Sequence, residues 1–598
     1  MQQPDFSKES ILGRMLNSAA DLWGIKHNDN LEPVVRLLME AFAAEIFKVQ
    51  QNIEVSNARL VEYLADTLTP TKLTAVVPAH AVMHASCSPT TQLIDETTLY
   101  EVAGIGAQKD QKFSFTPIDN ILLYHAEVTD LITASNACKV DGCIYKVVTT
   151  TPTAGSISQN YVWLGVSISN QLHDIKGLSF FVEWPNLGSR NDLYRSMSMS
   201  KWTIDGEMPL QMSQGLVYAD TSYENDPIKR LETYSLVAND IKNSYQSQFF
   251  TVSSSIAELQ KYVEGYPAIF KDYFSEEQLG QFFTEKKLWL RIELPVYLEA
   301  DILGDMLINT NCFPVVNREL KLATTNTGLI PLVCDSTERL LCEGSVYGTI
   351  SGSYHRTELR ESGEEVNTYT LRKSGLERFD RRDAYNLVKD VELLVKNEVQ
   401  AFAALNGGNN QELIDVLNAV VDQTKRNYKN EEDKASKYII LKKEVPSEVV
   451  TAEFWVTKCE NANQIRMGTV VQNIQDSSQV GCVLLTSTRG GRDTQDESEK
   501  IRAYQYVLLT KEQIVSAQDI KSFIHYQLGE NVSQVEVKSG LMIGKGTKQG
   551  LVRSIDIYIH TTDNFKEDTV QWGDVLLQKL QQQSDPSRIY RLFWNGLS

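Results

Sequence analysis

Histidine and cysteine are both scarce, at 8 residues each in a chain of 598. No two cysteines form a Cys-x-x-Cys pair, which excludes a disulfide scaffold or a cysteine-rich zinc site and leaves reduced thiols. The closest histidines, His80 and His84, stand about 13 Å apart on a strand at roughly 3.3 Å per residue, too far to share an ion. No Glu-x-x-His follows either, so zinc-hydrolase chemistry has no signature. Basic charge is also short: 58 Lys and Arg against 77 Asp and Glu give a net charge of -19. That balance excludes a general nucleic-acid groove or an anionic membrane surface as the partner. The opening MQQPDFSKES has no basic segment leading into an apolar one. No later run reaches the roughly 18 apolar residues of a membrane span, so no export or direct membrane insertion is expected.

Phosphate and nucleophile chemistry are missing as well. Gly540–Gly550 reads GLMIGKGTKQG, but Lys545 is followed by Gly546, and the glycine spacing before it is one short of a phosphate loop. A turn with a basic tip is the better reading, with Lys545, Lys548 and Arg553 available to an acidic partner. Residues 487–500, STRGGRDTQDESEK, combine glycines with alternating charge but have no Ser-His-Asp or Cys-His arrangement nearby. Cys312 lies between Asn311 and Phe313, with nothing local to lower its pKa. No catalytic residue, cofactor or metal is assigned.

What the chain has is apolar pattern. At 42% hydrophobic over this length it can bury several cores, since one core stops growing near roughly 250–300 residues. Asn30 is a helix N-cap candidate and Pro33 suits a first turn. Leu31, Val35, Leu38, Phe42, Ile46, Val49, Ile53, Leu60, Leu64 and Leu68 follow at spacings of three, four or seven. A continuous helix over 30–68 spans about 57 Å at about 1.5 Å per residue, longer than a small domain requires. Its stripe needs partner helices, from this chain or another, and Leu38, Phe42, Ile46, Val49 and Ile53 are the chosen interface residues.

Pro70 ends the helix, and Val77, Ala79, Ala81, Met83 and Ala85 alternate as in a half-buried strand. KFSFTPI, ILLYHAEV, GCIYKVVTT, YVWLGVSI and LSFFVEWP read as further strands, punctuated by Gly, Pro, Asn and Asp. Helical spacing returns near 230–285 and from Asp383 to Leu405. FWVTKCE, GTVVQNI and GCVLLTSTRGG are strand-like, VSAQDIKSFIHYQLG is helical, and Ile555, Ile557 and Ile559 place one apolar strand face on a core. A terminal helix is expected to carry Trp572, Val575, Leu576, Leu580, Ile589, Tyr590, Leu592, Phe593 and Trp594, divided at Asp585-Pro586. The fold class expected is α+β and multidomain: a long N-terminal amphipathic helix, a β-rich middle with a helical insertion, and mixed α+β C-terminal domains. The divisions are 1–72, a helical region entering a core bundle; 73–350, β-rich, with an insertion at about 230–285; 351–480, a helical and mixed wing; and 481–598, an α+β domain.

Three collinear stretches carry a family resemblance: Val34–His84, the helix with its Pro-led strand; Lys112–Val128, KFSFTPIDNILLYHAEV; and Leu307–Arg318, LINTNCFPVVNR. The chain resembles the TssF family, a baseplate wedge subunit of type VI secretion systems. After Arg489, the run Gly490, Gly491, Arg492, Asp493, Asp496, Glu497, then LLTKEQIVSAQDIKSFI and VSQVEVKS, is similar to J-like wedge proteins of contractile phages. The resemblance implies a structural, non-enzymatic role in type VI secretion or a related contractile injection machine. It implies assembly with a second copy and a TssG-like subunit, a TssK-like adaptor, a TssE-like sheath initiator and a VgrG-like spike. It further implies priming of sheath polymerisation and a cytoplasmic baseplate docked at the inner membrane through partners. The alternative is a tail-fibre or receptor-binding protein of a phage-like particle, for which repeats, glycine-rich shafts and exposed aromatic clusters are lacking.

Overall fold

Strands dominate because β-branched and aromatic runs recur every eight to twelve residues with turn formers between them. The computed structural model describes residues 8–23, 34–35, 37–49, 73, 75–87, 91–103, 112–141, 145–153, 155–185, 191–219, 233–256, 258–357, 366–373, 437–475, 481–495, 497–511, 513–543, 550–562, 569–585 and 588–595. They divide into two compact units: Ala75–Asp493 with Ile543–Val552, and Met1–Thr74, Thr494–Met542 with Arg553–Ser598.

The larger unit is built on a closed barrel of six antiparallel strands. These are β1 (His80–His84), β2 (Tyr100–Ala103), β3 (Lys112–Pro117), β4 (Cys312–Asn317), β5 (Val470–Asn473) and β6 (Cys482–Leu484), in the order β1-β4-β3-β2-β5-β6. Closure leaves no edge to aggregate, and it joins strands up to four hundred residues apart in sequence. The alternation expected around Met83 is absent: Ala81, Val82, Met83 and His84 are all buried. The barrel interior takes one face of β1, and packed elements such as the helix Thr233–Tyr245 cover the barrel wall.

Beside the barrel, a sheet running Met208–Leu210, Lys201–Ile204, Lys287–Glu293, Tyr161–Ile168, Ala126–Ile132, Ala137–Asp141, Tyr145–Thr150 shares a core with a four-stranded sheet that includes Ser179–Glu183 and Leu307–Thr310. Helices Thr233–Tyr245, Phe270–Tyr273 and Glu276–Phe282 fall in the stretch read as a helical insertion, with the strand Phe249–Val252 among them. Phe270 centres an aromatic cluster with Trp163, Tyr273, Phe274, Phe283 and Trp289. A third layer pairs Glu319–Thr325, Val450–Thr457 and Arg339–Gly348 in one sheet, and Leu329–Leu332, Lys437–Lys442 and Thr368–Lys373 in another, around Ile330, Ile439, Val450 and Phe454. The helical pattern expected from Asp383 to Leu405 lies outside the described residues.

In the smaller unit, helices Glu497–Thr510, Ala517–Leu528 and Thr569–Gln582 pack on a sheet of Val532–Ile543, Leu551–Thr561 and Tyr590–Asn595. Ser516 and Asp519 close a reciprocal capping box, which starts Ala517–Leu528 at that point in the sequence. Tyr590–Asn595 corrects the terminal-helix expectation: it is a strand, parallel to Leu551–Thr561 through the crossover helix Thr569–Gln582. Period two decides it, because Tyr590, Leu592 and Trp594 face the core while Arg591 pairs with Asp556.

The helices of this unit also include Lys8–Trp23 and residues 34–35 and 37–49. The fold is thus mixed α and β and multidomain, as expected. A continuous helix over 30–68 is not shown: the remainder of that span, with Ile53, lies outside the described residues.

Candidate assembly interface

The stretch Leu307–Arg318 concentrates buried polar groups: Asn309, Thr310, Asn311, Asn317 and Arg318. Asn311 adopts φ +54°, a left-handed conformation that asparagine tolerates better than most residues. This residue turns the chain from the four-stranded sheet into barrel strand β4. Its side-chain Oδ1 accepts from the Tyr124 N–H at 2.9 Å, and its Nδ2 donates to the Tyr124 carbonyl at 2.7 Å. Pro314 O accepts from the Ile118 N–H at 3.1 Å. A residue's N and O point to the same side of a strand, so the missing proline donor faces away from β1 and its ladder there stays intact. Asn317 donates to Ser114 O at 2.8 Å and accepts from the Lys458 N–H at 2.9 Å.

Arg318 closes the stretch as a buried guanidinium clamp. It lies over the Trp455 ring at 4.3 Å and over Tyr234 at 5.6 Å. It donates to Thr116 Oγ1 at 2.5 Å, Tyr234 Oη at 2.9 Å, and the carbonyls of Glu96 and Pro117 at 2.9 and 3.0 Å. Burial pushes the Tyr234 hydroxyl up to about 12, so Tyr234 stays protonated beside the cation. The Cys312 thiol is buried and donates to Thr310 O at 3.1 Å. These residues join barrel, neighbouring sheet and third layer.

The other sequence candidates are also packed. His80 Nδ1 and Tyr245 Oη are 2.7 Å apart, their rings edge to face. His84 is buried on β1, and desolvation lowers its pKa to about 4, so its ring is neutral. Among the described residues, no group of three or more His, Cys, Asp or Glu is placed to hold a metal ion. The glycines of residues 487–493 hold the loop against the barrel rather than freeing it. Gly490, at φ +80°, lies against His80, and Arg489 and Arg492 exchange backbone hydrogen bonds with His80 and Val77. Of the basic tip at 540–550, Lys545 and Lys548 lie outside the described residues.

The surface that stands out is the helix at 34–49. Ala43 is completely buried, and Met39 and Phe47, four residues to either side on the same face, are half-buried. One residue earlier in each case, hence about 100° round the helix, Leu38, Phe42 and Ile46 are exposed at 52, 60 and 46%, and Val49 at 56%. Val34 and Leu37, which the sequence reading did not choose, are exposed at 64 and 69%. Single exposed apolar residues are ordinary; six within four turns form a patch. The helix therefore has two apolar faces, one packed and one bare. Four of the five residues chosen from the sequence lie on the bare face.

Residues 16–144, which contain this helix and strands β1–β3, match the model of the family described as "Type VI secretion system, TssF". That match spans less than a quarter of the chain. The chain is similar to one titled "Structure of the type VI secretion system TssK-TssF-TssG baseplate subcomplex revealed by cryo-electron microscopy - full map sharpened", with 13% identity, 94% of this chain and 96% of that chain covered, and a TM-score of 0.42. A second, "The baseplate complex from the type VI secretion system", gives 12% identity, 98% and 96% coverage, and a TM-score of 0.36. No curated protein matches the sequence.

Proposed function

We propose that this chain is a TssF-like baseplate wedge subunit of a type VI secretion or related contractile injection machine, and that it joins the wedge through the bare face of the 34–49 helix. The exposure of Leu38, Phe42, Ile46 and Val49 beside a buried Ala43 carries this reading: the helix is anchored in its own chain and still has apolar surface to bury. The partners proposed are a second copy and a TssG-like subunit in the wedge, with a TssK-like adaptor, a TssE-like sheath initiator and a VgrG-like spike around it. In that position the subunit primes sheath polymerisation from a cytoplasmic baseplate docked at the inner membrane through its partners. Among the described residues no helix is long and apolar enough to cross a membrane. The test is native mass measurement of the complex formed when the chain is co-expressed with the neighbouring candidate wedge gene product. A stable two-to-one complex supports the proposal; a lone monomer under mild conditions overturns it.

A further inference from the structure

A sheet edge exposes unpaired backbone donors and acceptors, and the described sheets beside and beyond the barrel guard nearly every edge they have. One end of the long sheet is Met208–Leu210, three residues that include Pro209. Its four-stranded neighbour ends in Met212–Gln214, also three residues, and in Leu307–Thr310, which is wholly buried. In the third layer the edge Leu329–Leu332 contains Pro331. The edge Glu319–Thr325 carries Lys321 opposite the core residue Phe454, where it pairs with Glu338, so an inward charge protects it. The two opposite edges, Gly352–Ser353 and His355–Arg356, are two residues each.

Tyr145–Thr150, YKVVTT, is the exception. This strand closes the far end of the long sheet, pairing with Ala137–Asp141 on one side and, among the described strands, with nothing on the other. It contains no proline. Val147 and Val148 are 54 and 57% exposed, and consecutive residues face opposite sides of a sheet, so both faces of the strand are open and apolar. One end is anchored: Thr149 Oγ1 donates to Ala137 O at 2.9 Å, and Thr150 Oγ1 accepts from Gln278 Nε2 at 2.7 Å. The edge is thus held extended in the free chain, which lowers the entropic cost of docking on it.

We infer that the occupant of this edge is the same strand of a second copy, added antiparallel across a two-fold axis. A free edge takes an extended backbone, and valines open on both faces are covered only by a strand with apolar residues at consecutive positions. Tyr145–Thr150 itself meets both conditions, and an isologous contact needs nothing else. Because Thr150 is already engaged by Gln278, the axis falls at Val147, away from the anchored end. Val147 then meets its own copy, Tyr145 meets the partner's Thr149, and Val148 meets the stem of the partner's Lys146. Lys146 is the only charge in the strand, so no like charges stand opposite each other. A ladder of about 20 Å, at roughly 3.3 Å per residue, buries less than the roughly 800 Å² per partner of a stable interface. The pairing is therefore transient in solution and has to be trapped. It uses neither the 34–49 helix nor a different subunit, so it stands or falls apart from the wedge reading.

Residues opposite each other in an antiparallel pair lie about 4.5–5.5 Å apart, within disulfide reach. The full chain carrying V147C, with C143S to remove the neighbouring native thiol, is oxidised in concentrated solution and the disulfide-linked dimer is followed with time. L322C in the same background is the comparison, since Leu322 is 62% exposed on the edge guarded by Lys321. Dimer is expected to form at least tenfold faster with V147C than with L322C. Adding V148K to V147C places a charge on an exposed position of the edge, and should return the rate to that of L322C while the thermal midpoint stays unchanged. Equal rates for V147C and L322C would mean random collision and overturn the inference. A fast rate that V148K leaves untouched would mean a contact other than strand pairing, and overturns it as well.

Discussion

Asn311 shows how one side chain can hold a topology. Asn311→Ala loses the hydrogen bonds to Tyr124 and adds a strained φ, whereas Asn311→Gly relieves the strain and loses only the hydrogen bonds. The alanine variant is expected to cost about 3 kcal/mol and the glycine variant about 1 kcal/mol less, read as shifts in the thermal midpoint. Equal shifts would show that the backbone conformation is not under strain. His84 gives a pH dependence whose sign follows from its burial. The folded-state pKa of about 4 lies below the ordinary value of 6.5, so the unfolded chain binds the proton first. The stability contribution is complete above pH 6.5, falls as pH drops toward 4, and is flat below that; the loss is about 3 kcal/mol. His84→Leu should remove this slope, which denaturation midpoints at pH 7 and pH 4.5 measure. At this scale the sequence was partly legible: the Asn311–Pro314 turn stood out as a break between two apolar runs, and it is where the chain passes from the four-stranded sheet into the barrel. The roles of Asn311 and Arg318 could not be read there, because their partners Tyr124, Thr116 and Trp455 lie up to about two hundred residues away and only the barrel brings them together.

At the scale of elements, the helix at 34–49 is the part whose two faces have separate consequences. Replacing Leu38 and Ile46 together by glutamate puts charge only on exposed positions, so circular dichroism and the thermal midpoint are expected to stay near those of the parent. Recovery of the partner in co-purification should fall at least tenfold, since desolvating two unpaired carboxylates opposes docking. Ala43→Glu should do the reverse and unfold the helix's own packing, because Ala43 has no exposed surface. Retained partner binding by the double glutamate variant would remove the stripe from the interface. Periodicity made this helix and most strands visible in the sequence. It misplaced Tyr590–Asn595, where an aromatic run after a proline was read as continued helix although its alternation was that of a strand. It also missed the burial of both faces of β1, because alternation signals only strands with one solvated face.

At the scale of the molecule, net charge and docking surface act in opposite directions. Each chain carries -19, so bringing two copies into one wedge is opposed by long-range repulsion. The face proposed to dock is apolar, and its attraction does not depend on opposite charges. Added salt shortens the screening length from about 30 Å at 0.01 M to about 10 Å at 0.1 M, which weakens the repulsion and leaves the apolar contact almost untouched. Wedge assembly should therefore tighten as salt rises from low to moderate concentration, and tighten further in sulfate, which strengthens apolar burial. A titration of complex formation by sedimentation at 0.02, 0.1 and 0.3 M salt checks this. Binding that weakens steeply over that range would mean that ion pairs hold the wedge together, and would shift the interface from the helix stripe to the charged surface of the chain.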